Sequence, residues 1–216
     1  MMISRIELAI CERLRRGMGR MVRDVESYGG QMDGEPQEII RQLPAIWVTF
    51  GGIQQTENTN VTRNKYTTHG RFVVIVGDRN LRSEPAARMG GPHADEVGTY
   101  RLVHAVRRLL SGQDMDLPIG HFVPGRVRTL FNTQVEAAAM SVFACEFDTK
   151  WIEHALENGR YPLEDAPEGH PDHVFTPYRG QTSPDDPQWL ETRLQYNLTN
   201  SGSNPDAEDI IKHDSD

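Results

Sequence analysis

A run of five apolar residues, Phe72 to Val76, constrains the fold of this chain more than any other part of its 216-residue sequence. Most of the run is β-branched, and the turn-forming residues Gly77, Asp78 and Asn80 follow it. β-Branched residues favour extended backbone, and a strand without alternating polar residues must be covered on both sides. The run therefore predicts a strand that is buried on both faces and lies at the centre of a sheet.

Helices and strands are predicted on both sides of this strand from hydrophobic periodicity and from turn-forming residues. In chain order they are an amphipathic helix over residues 3–14 that Gly17 and Gly19 end, a helical turn over 36–41, a strand over 44–50 that Gly51 and Gly52 stop, an exposed hairpin or entering strand over 54–70, a loop over 82–95, a helix over 97–110, and strands over 122–132 and 141–151. We expect the strand over 44–50 to pair with the next strand in sequence. This order of elements predicts an α+β fold in which helices flank a small, mostly antiparallel sheet.

The two ends of the chain differ strongly in charge. Residues 1–152 hold 19 Lys and Arg against 17 Asp and Glu, a net charge of +2, whereas residues 153–216 hold 4 against 14, a net charge of −10. The second part is also rich in Pro, Gly and Ser, a composition too polar for a core of its own. We therefore predict one α+β domain over 1–152 and an extended acidic C-terminal arm over 153–216.

Aromatic residues are spaced along this acidic arm, among them Phe175, Tyr178 and Trp189. Isolated rings in a segment of this composition are typical of a strap that docks on another surface and gains its binding energy at a few buried side chains. The arm therefore predicts contact with a partner protein in an assembly.

The chain has only two cysteines, Cys11 and Cys145, which lie far apart and match neither a zinc spacing nor a redox spacing. They indicate packed thiols in a reducing compartment. Charged residues lie within the first turns, and no apolar stretch approaches the roughly 18 to 20 residues that a membrane span needs. The sequence therefore predicts neither secretion nor membrane insertion.

Three places hold residues of the kind that metal-dependent hydrolases use. Asp78 ends the central strand, Asp114 follows a predicted helix, and His170 and His173 lie in a proline-rich acidic stretch. Asp is also an ordinary turn former, and ligands on a solvated loop lack the fixed geometry that a metal requires. We therefore predict no catalytic residue, no metal site and no cofactor, and keep a metal-dependent hydrolase as an alternative.

The one basic concentration in the sequence comprises Arg13, Arg15, Arg16, Arg20 and Arg23. Such a cluster can meet phosphates, which makes a DNA-binding module a further alternative. It lacks the interleaved aromatic residues on which single-strand binders stack bases. A solvated helix face, or ion pairs with an acidic neighbour, is the ordinary meaning of such a cluster.

From Ile3 to Trp151 the sequence resembles a family of proteins from Mu-like contractile-tailed phages and prophages that is encoded beside the tail sheath and tube genes. Four places carry the resemblance: Ile6 to Ile10, Leu43 to Ala45, Phe72 to Arg82, and Leu109 to Asp114 followed by Pro124 to Asn132. The acidic arm extends beyond the family pattern. The resemblance carries over no enzymatic residue.

The resemblance implies a structural virion protein, the tail terminator, whose ring is expected to be hexameric and caps the finished tail tube and sheath. It implies as partners other copies of the chain, the tube protein, the sheath protein and a neck or head-completion protein, while DNA passes through the ring without specific binding. The implied location is the neck end of the contractile tail, after assembly in the host cytoplasm. A neck or head-completion connector is the alternative within the same particle.

A long loop, a polar hairpin and a trailing arm give neighbouring subunits of a ring parts with which to interlock. The residues that we predict at such interfaces are Arg13, Arg16, Arg20, Tyr66, Arg79, Arg82, Phe175, Tyr178 and Trp189.

Overall fold

The computed structural model describes residues 1–34, 36–61, 64–80, 88–91, 97–135, 138–183, 191–196 and 207–212. The chain forms two compact units, Met1–Glu157 and Asn158–Asp216. The predicted loop over 82–95 lies mostly outside the described residues.

The first unit is an α+β fold built on one five-stranded sheet. Its elements are α1 (Met2–Met18), a 3-10 helix (Gly19–Met21), β1 (Asp24–Ser27), α2 (Pro36–Gln42), β2 (Ala45–Asn58), β3 (Lys65–Asn80), α3 (Thr99–Leu110), β4 (Val123–Val135) and β5 (Ala138–His154). The strand order is β1-β2-β3-β5-β4, with β1 parallel to β2 and every other pair antiparallel. The predicted fold class, the central place of β3 and its pairing with β2 are confirmed. In the described part of the chain, no helix combines the length and the apolar character needed to cross a membrane.

Helices α1 and α3 cover one face of this sheet. Their apolar stripes meet the side chains of β3 and β5 that point to the same side. The fully buried members of this core are Ile6, Ile10, Leu14, Ile46, Val48, Phe72, Val74, Val76, Leu102, Val106, Leu110, Cys145 and Phe147. The buried residues thus recur with a period of about 3.6 in the helices and of 2 in the strands, as an apolar face on each element requires.

The short helix α2 covers part of the opposite face. Ile39, Ile40 and Leu43 pack there against Trp47 and Ile75 of the two central strands. The side chain of Leu43 lies so close to Gly77 that a Cβ built on that glycine would be 2.6 Å from a Leu43 methyl carbon. A larger residue in place of Gly77 would therefore displace the Leu43 side chain, and the predicted burial of the central part of the strand on both faces is confirmed.

The prediction that Gly51 and Gly52 stop the second strand is wrong. Strand β2 runs on to Asn58, and its pairing with β3 shifts register between Phe50 and Ile53. Gly52 has a φ of 98°, a conformation that glycine adopts without strain. The two glycines therefore form a bulge inside a long strand rather than its end.

The second unit contains a 3-10 helix (Pro171–Tyr178) and a hairpin of β6 (Glu191–Tyr196) with β7 (Ala207–Lys212). The Nδ1 atom of His170 accepts a hydrogen bond of 3.2 Å from the backbone N–H of Asp172 at the start of the 3-10 helix. An isolated bridge joins Leu163 to Ser183 within the same unit.

Both cysteines are buried and carry free thiols, which confirms the prediction of packed thiols. Burial raises the pKa of Cys11 to about 11 and the pKa of Cys145 to about 12, because the interior disfavours the thiolate. Both thiols are therefore protonated at neutral pH and are poor nucleophiles in the folded protein.

The substitution Val74→Asp tests the central position of β3. Val74 is fully buried, so a carboxylate at this position would lie among apolar side chains without a partner. We expect a loss of more than about 4 kcal/mol of the free energy of unfolding, and hence insoluble protein. Val61→Asp is the control, because Val61 is 99% exposed. A soluble Val74→Asp variant with a cooperative thermal transition would contradict the strand order.

Candidate functional site

The carboxylate of Asp78 fixes the start of helix α3. Its Oδ2 accepts a hydrogen bond of 2.7 Å from the backbone N–H of Gly98, and its Oδ1 accepts one of 2.7 Å from the N–H of Arg79. Asp78 is buried, and a negative charge beside the N-terminus of a helix is stabilising. Next to it, the hydroxyls of Thr99 and Ser141 lie 3.1 Å apart and join α3 to β5. These hydrogen bonds give Asp78 a structural role, which is to anchor the start of α3.

The other residues weighed as metal ligands make local contacts. Asp114 accepts a hydrogen bond from the N–H of Asp116 and lies 3.5 Å from His121 Nε2. His173 Nδ1 lies 2.8 Å from the carbonyl oxygen of Ala166, a local contact in the second unit. Among the residues that the structure describes, no three His, Cys, Asp or Glu side chains are grouped so that they could hold a metal ion.

Two of the predicted interface arginines are engaged within the protein. The Nε of Arg13 donates a hydrogen bond of 2.6 Å to the carbonyl oxygen of Leu109 in the last turn of α3, where the helix dipole favours a cation. Arg16 binds Glu12 one turn away at 2.6 Å and keeps 79% of its side chain exposed. Arg20 is exposed in the 3-10 helix that follows. Arg13 therefore joins the two helices, while Arg16 and Arg20 stand on a solvated face.

A charged cluster occupies the sheet face opposite α1 and α3. Arg71 binds both carboxylate oxygens of Asp148 at 2.7 and 3.0 Å, and its third nitrogen lies 2.8 Å from Glu146 Oε2. Arg128 lies 3.5 Å from the other oxygen of Glu146, whose side chain is only 10% exposed. The hydrogen bond to Asp148 raises the pKa of Arg71.

Sequence reasoning missed this cluster, although the sequence held a signal for it. Glu146 and Asp148 alternate with the apolar Cys145 and Phe147, so they had to point to the opposite face of β5. Their partner Arg71 lies 77 residues from Asp148 in sequence, and its identity depends on the register of β3 against β5. Alternation alone does not give that register.

The polar hairpin predicted over 54–70 is confirmed, and it carries a third strand. Beyond the bulge at Gly52, β2 and β3 continue as an exposed ladder, and β5 runs beside them as far as His154. Tyr66 is half-buried in this arm, in register with Asn58 on one side and Glu153 on the other. We call this three-stranded region, residues 53–58, 65–70 and 149–154, the sheet arm.

The remaining predicted interface residues are distributed over both units. Arg79 is half-buried, and its backbone N–H is bound by Asp78. Phe175 and Tyr178 are 45% and 81% exposed on the 3-10 helix of the second unit. Arg82 and Trp189 lie outside the described residues. The interface role of these residues therefore stays a prediction.

The sheet itself has two edges that differ in character, and sequence reasoning assigned neither. The long edge strand β4 exposes Val123, Val127 and Phe131 to 61%, 39% and 45%. At the other edge, the four-residue strand β1 buries Val25 and exposes the acidic residues Asp24 and Glu26. Exposed apolar side chains on an edge strand favour pairing with another chain.

The variant Asp78→Ala tests the anchor of α3. It would leave the buried N–H of Gly98 without its acceptor, and we expect a loss of about 2 kcal/mol in the free energy of unfolding by urea titration. Asp78→Asn, which keeps one acceptor oxygen and the size of the side chain, is the matched control and should lose less. Equal stability of Asp78→Ala and the wild type would rule out the anchoring role.

A double-mutant cycle tests the charged cluster. Arg71→Met should lower the free energy of unfolding by about 2 kcal/mol, because it leaves the buried carboxylate of Glu146 without its closest cation. Glu146→Gln should restore part of that loss in the Arg71→Met protein, since a neutral amide needs no counter-ion. Strictly additive effects of the two substitutions would show that the residues are not coupled.

Comparison with known proteins places this fold in a family. No curated protein matches the chain. The family model described as Bacteriophage Mu, Gp37 matches residues 2–152. That range includes α1, α2, α3 and the five-stranded sheet except the last two residues of β5. The chain therefore belongs to the Bacteriophage Mu Gp37 family.

Proposed function

We propose that this phage protein is the tail terminator of a contractile tail: a structural subunit that forms a ring, caps the tail tube and sheath, and provides the surface on which the head docks. The match of residues 2–152 to a phage Mu family carries this proposal, since it supports a structural role in the virion. The proposal assigns no catalytic residue and no cofactor.

The distribution of surfaces on the first unit favours assembly. The sheet arm exposes Ile53 and Ile152 to 49% and 47%, and Val61 at its tip to 99%. Edge strand β4 exposes further apolar side chains, as described above. A subunit with apolar side chains at several separate exposed places is suited to bind several neighbours, here other copies of the chain and the tube and sheath proteins.

The acidic second unit suits the head-facing partner. It presents Phe175 and Tyr178 on an exposed 3-10 helix, within a segment rich in Asp and Glu. Aromatic rings supply binding energy at interfaces, and the surrounding charge favours a basic surface on the neck or head-completion protein.

The charge of the chain also fits the passage of DNA. The chain has a net charge of −8, to which residues 153–216 contribute −10 and which opposes phosphate binding, and Arg13, one of the arginines weighed for DNA binding, instead binds α3. A ring of such subunits lets DNA slide without specific binding, because tight phosphate contacts require clustered cations.

Light scattering and electron microscopy on the full-length protein test the proposal, alone and with tail tubes from the same phage. We expect a closed ring of about six copies of the 24.4 kDa chain, seated at one end of each tube. Tubes assembled without the protein should continue to lengthen, whereas tubes with it should stop. A protein that stays monomeric and leaves tube length unchanged would overturn the terminator function.

The connector alternative makes a different prediction about partners. A neck or head-completion connector would co-purify with the portal side of the head and would not bind isolated tube or sheath subunits. Co-purification with tube and sheath in the absence of heads favours the terminator.

A further inference from the structure

We propose that neighbouring copies of this chain join through opposite edges of the five-stranded sheet, with β4 of one copy pairing along β1 of the next in an antiparallel ladder. The inference deepens the proposed function, since it rests on the ring and names the contact that builds it.

Both edges lack a second strand neighbour within the described part of the chain. There β1 has β2 as its one strand neighbour, and β4 has β5 as its one strand neighbour. In β1 the N–H of Val25 is bound by Asp24 Oδ1 at 2.7 Å and the carbonyl oxygen of Ser27 by Gln31 Nε2 at 3.3 Å. The joint would therefore exchange these side-chain partners for backbone groups of β4.

β4 is thirteen residues long and exposes Val127 and Phe131 in its middle. Natural edge strands are usually short or carry inward charges that prevent pairing, so a long edge with exposed apolar side chains indicates an interface.

The two edges lie at the same height along the strands. Across the sheet, Glu26 lies beside Trp47, Trp47 beside Ile75, Ile75 beside Ala144, and Ala144 beside Arg128. The next copy can therefore meet β4 by rotation alone, without a shift along the strands. A joint without such a shift would bring the middle of β1 of one copy opposite the middle of β4 of the next.

The strand directions also agree with the joint. β1 runs parallel to β2, and the steps from β2 to β3, β3 to β5 and β5 to β4 each reverse direction. Three reversals leave β4 antiparallel to β1. When copies follow each other head to tail, β4 therefore meets the next β1 as an antiparallel partner, the orientation that forms the slightly stronger ladder.

The charges of the two edges are complementary. β1 exposes Asp24 and Glu26, whereas β4 exposes Arg126 and Arg128. Glu26 and Arg128 share a face as well as a height, because each lies in register with residues of the face that α2 covers. In the joint, Glu26 of one copy therefore lies opposite Arg128 of its neighbour, where opposite charges stabilise a cross-strand pair.

Charge reversal with rescue tests the joint in the full-length protein. Glu26→Arg and Arg128→Glu should each weaken self-association roughly tenfold or more, because each places like charges opposite one another. Arg128 also lies 3.5 Å from Glu146 in its own chain, so all variants and their reference protein carry Glu146→Gln, which removes the repulsion that Arg128→Glu would otherwise meet there. The double variant, Glu26→Arg with Arg128→Glu, should recover the ring. Arg101→Glu on the exposed side of α3 is the control with the same change of charge away from both edges. Sedimentation velocity measures the assembly, and thermal unfolding checks that each variant is folded.

A cysteine pair gives a second measurement that does not depend on charge. Glu26→Cys together with Arg128→Cys should yield, on oxidation, a ladder of disulfide-linked oligomers up to the ring, while each single variant should not. The native thiols are buried and should not compete.

The edge joint between copies and the terminator function are contradicted by different results. A wild-type ring with no cross-linking and no effect of the reversals, or reversals that weaken the ring without rescue, would overturn the edge joint and leave the terminator function standing. A wild type that forms no ring, alone or on tail tubes, would overturn both.

Discussion

Residues 74–78 of strand β3 are buried on both faces of the sheet, and the helices of the first unit are placed by the faces of this strand that they cover. Phe72, Val74 and Val76 face α1 and α3, and Ile75 faces α2. Burying each such side chain stabilises the fold by about 1.5 to 3 kcal/mol, so exposing one face would remove several kcal/mol. A strand of this kind needs a layer on each side, and the order helix, strands, helix, strands supplies both layers.

Polar contacts then fix how the helices are placed on that sheet. Burial alone lets an amphipathic helix slide along its apolar stripe, because dispersion and the hydrophobic effect have little directionality. Asp78 binds the start of α3, and Arg13 of α1 binds its end at Leu109. These two charged contacts hold α3 at both termini, where its backbone groups lack helical partners. Arg13, one member of the basic cluster seen in the sequence, therefore stabilises the packing of α1 against α3.

The periodic elements were predictable from the sequence, whereas features that depend on register were not. Helices α1 and α3 carry a period of 3.6 and β5 a period of 2, and their positions were correct within a few residues; the centre of β3 was found from its continuous apolar run. The predicted end of β2 was wrong because two consecutive glycines are equally compatible with a bulge and with a turn. Only the pairing of β2 with β3 distinguishes the two. Strand β1 was missed because four residues with one buried side chain show no period. The cluster around Arg71 was missed because its partners are set by pairing across the sheet.

Strand β1, which was not predicted, is only four residues long but determines the character of one edge of the sheet. Without it, the edge of the sheet beside the core would be β2, whose residues from Ala45 to Val48 are buried and apolar. β1 covers that stretch and presents two carboxylates in its place, while β2 beyond Gly52 continues into the sheet arm. Because β1 is parallel to β2, it keeps the direction of that edge opposite to β4; an antiparallel β1 would have made the proposed joint parallel and slightly weaker. Four residues without a sequence signal therefore set both the charge and the direction of the edge on which ring closure would depend.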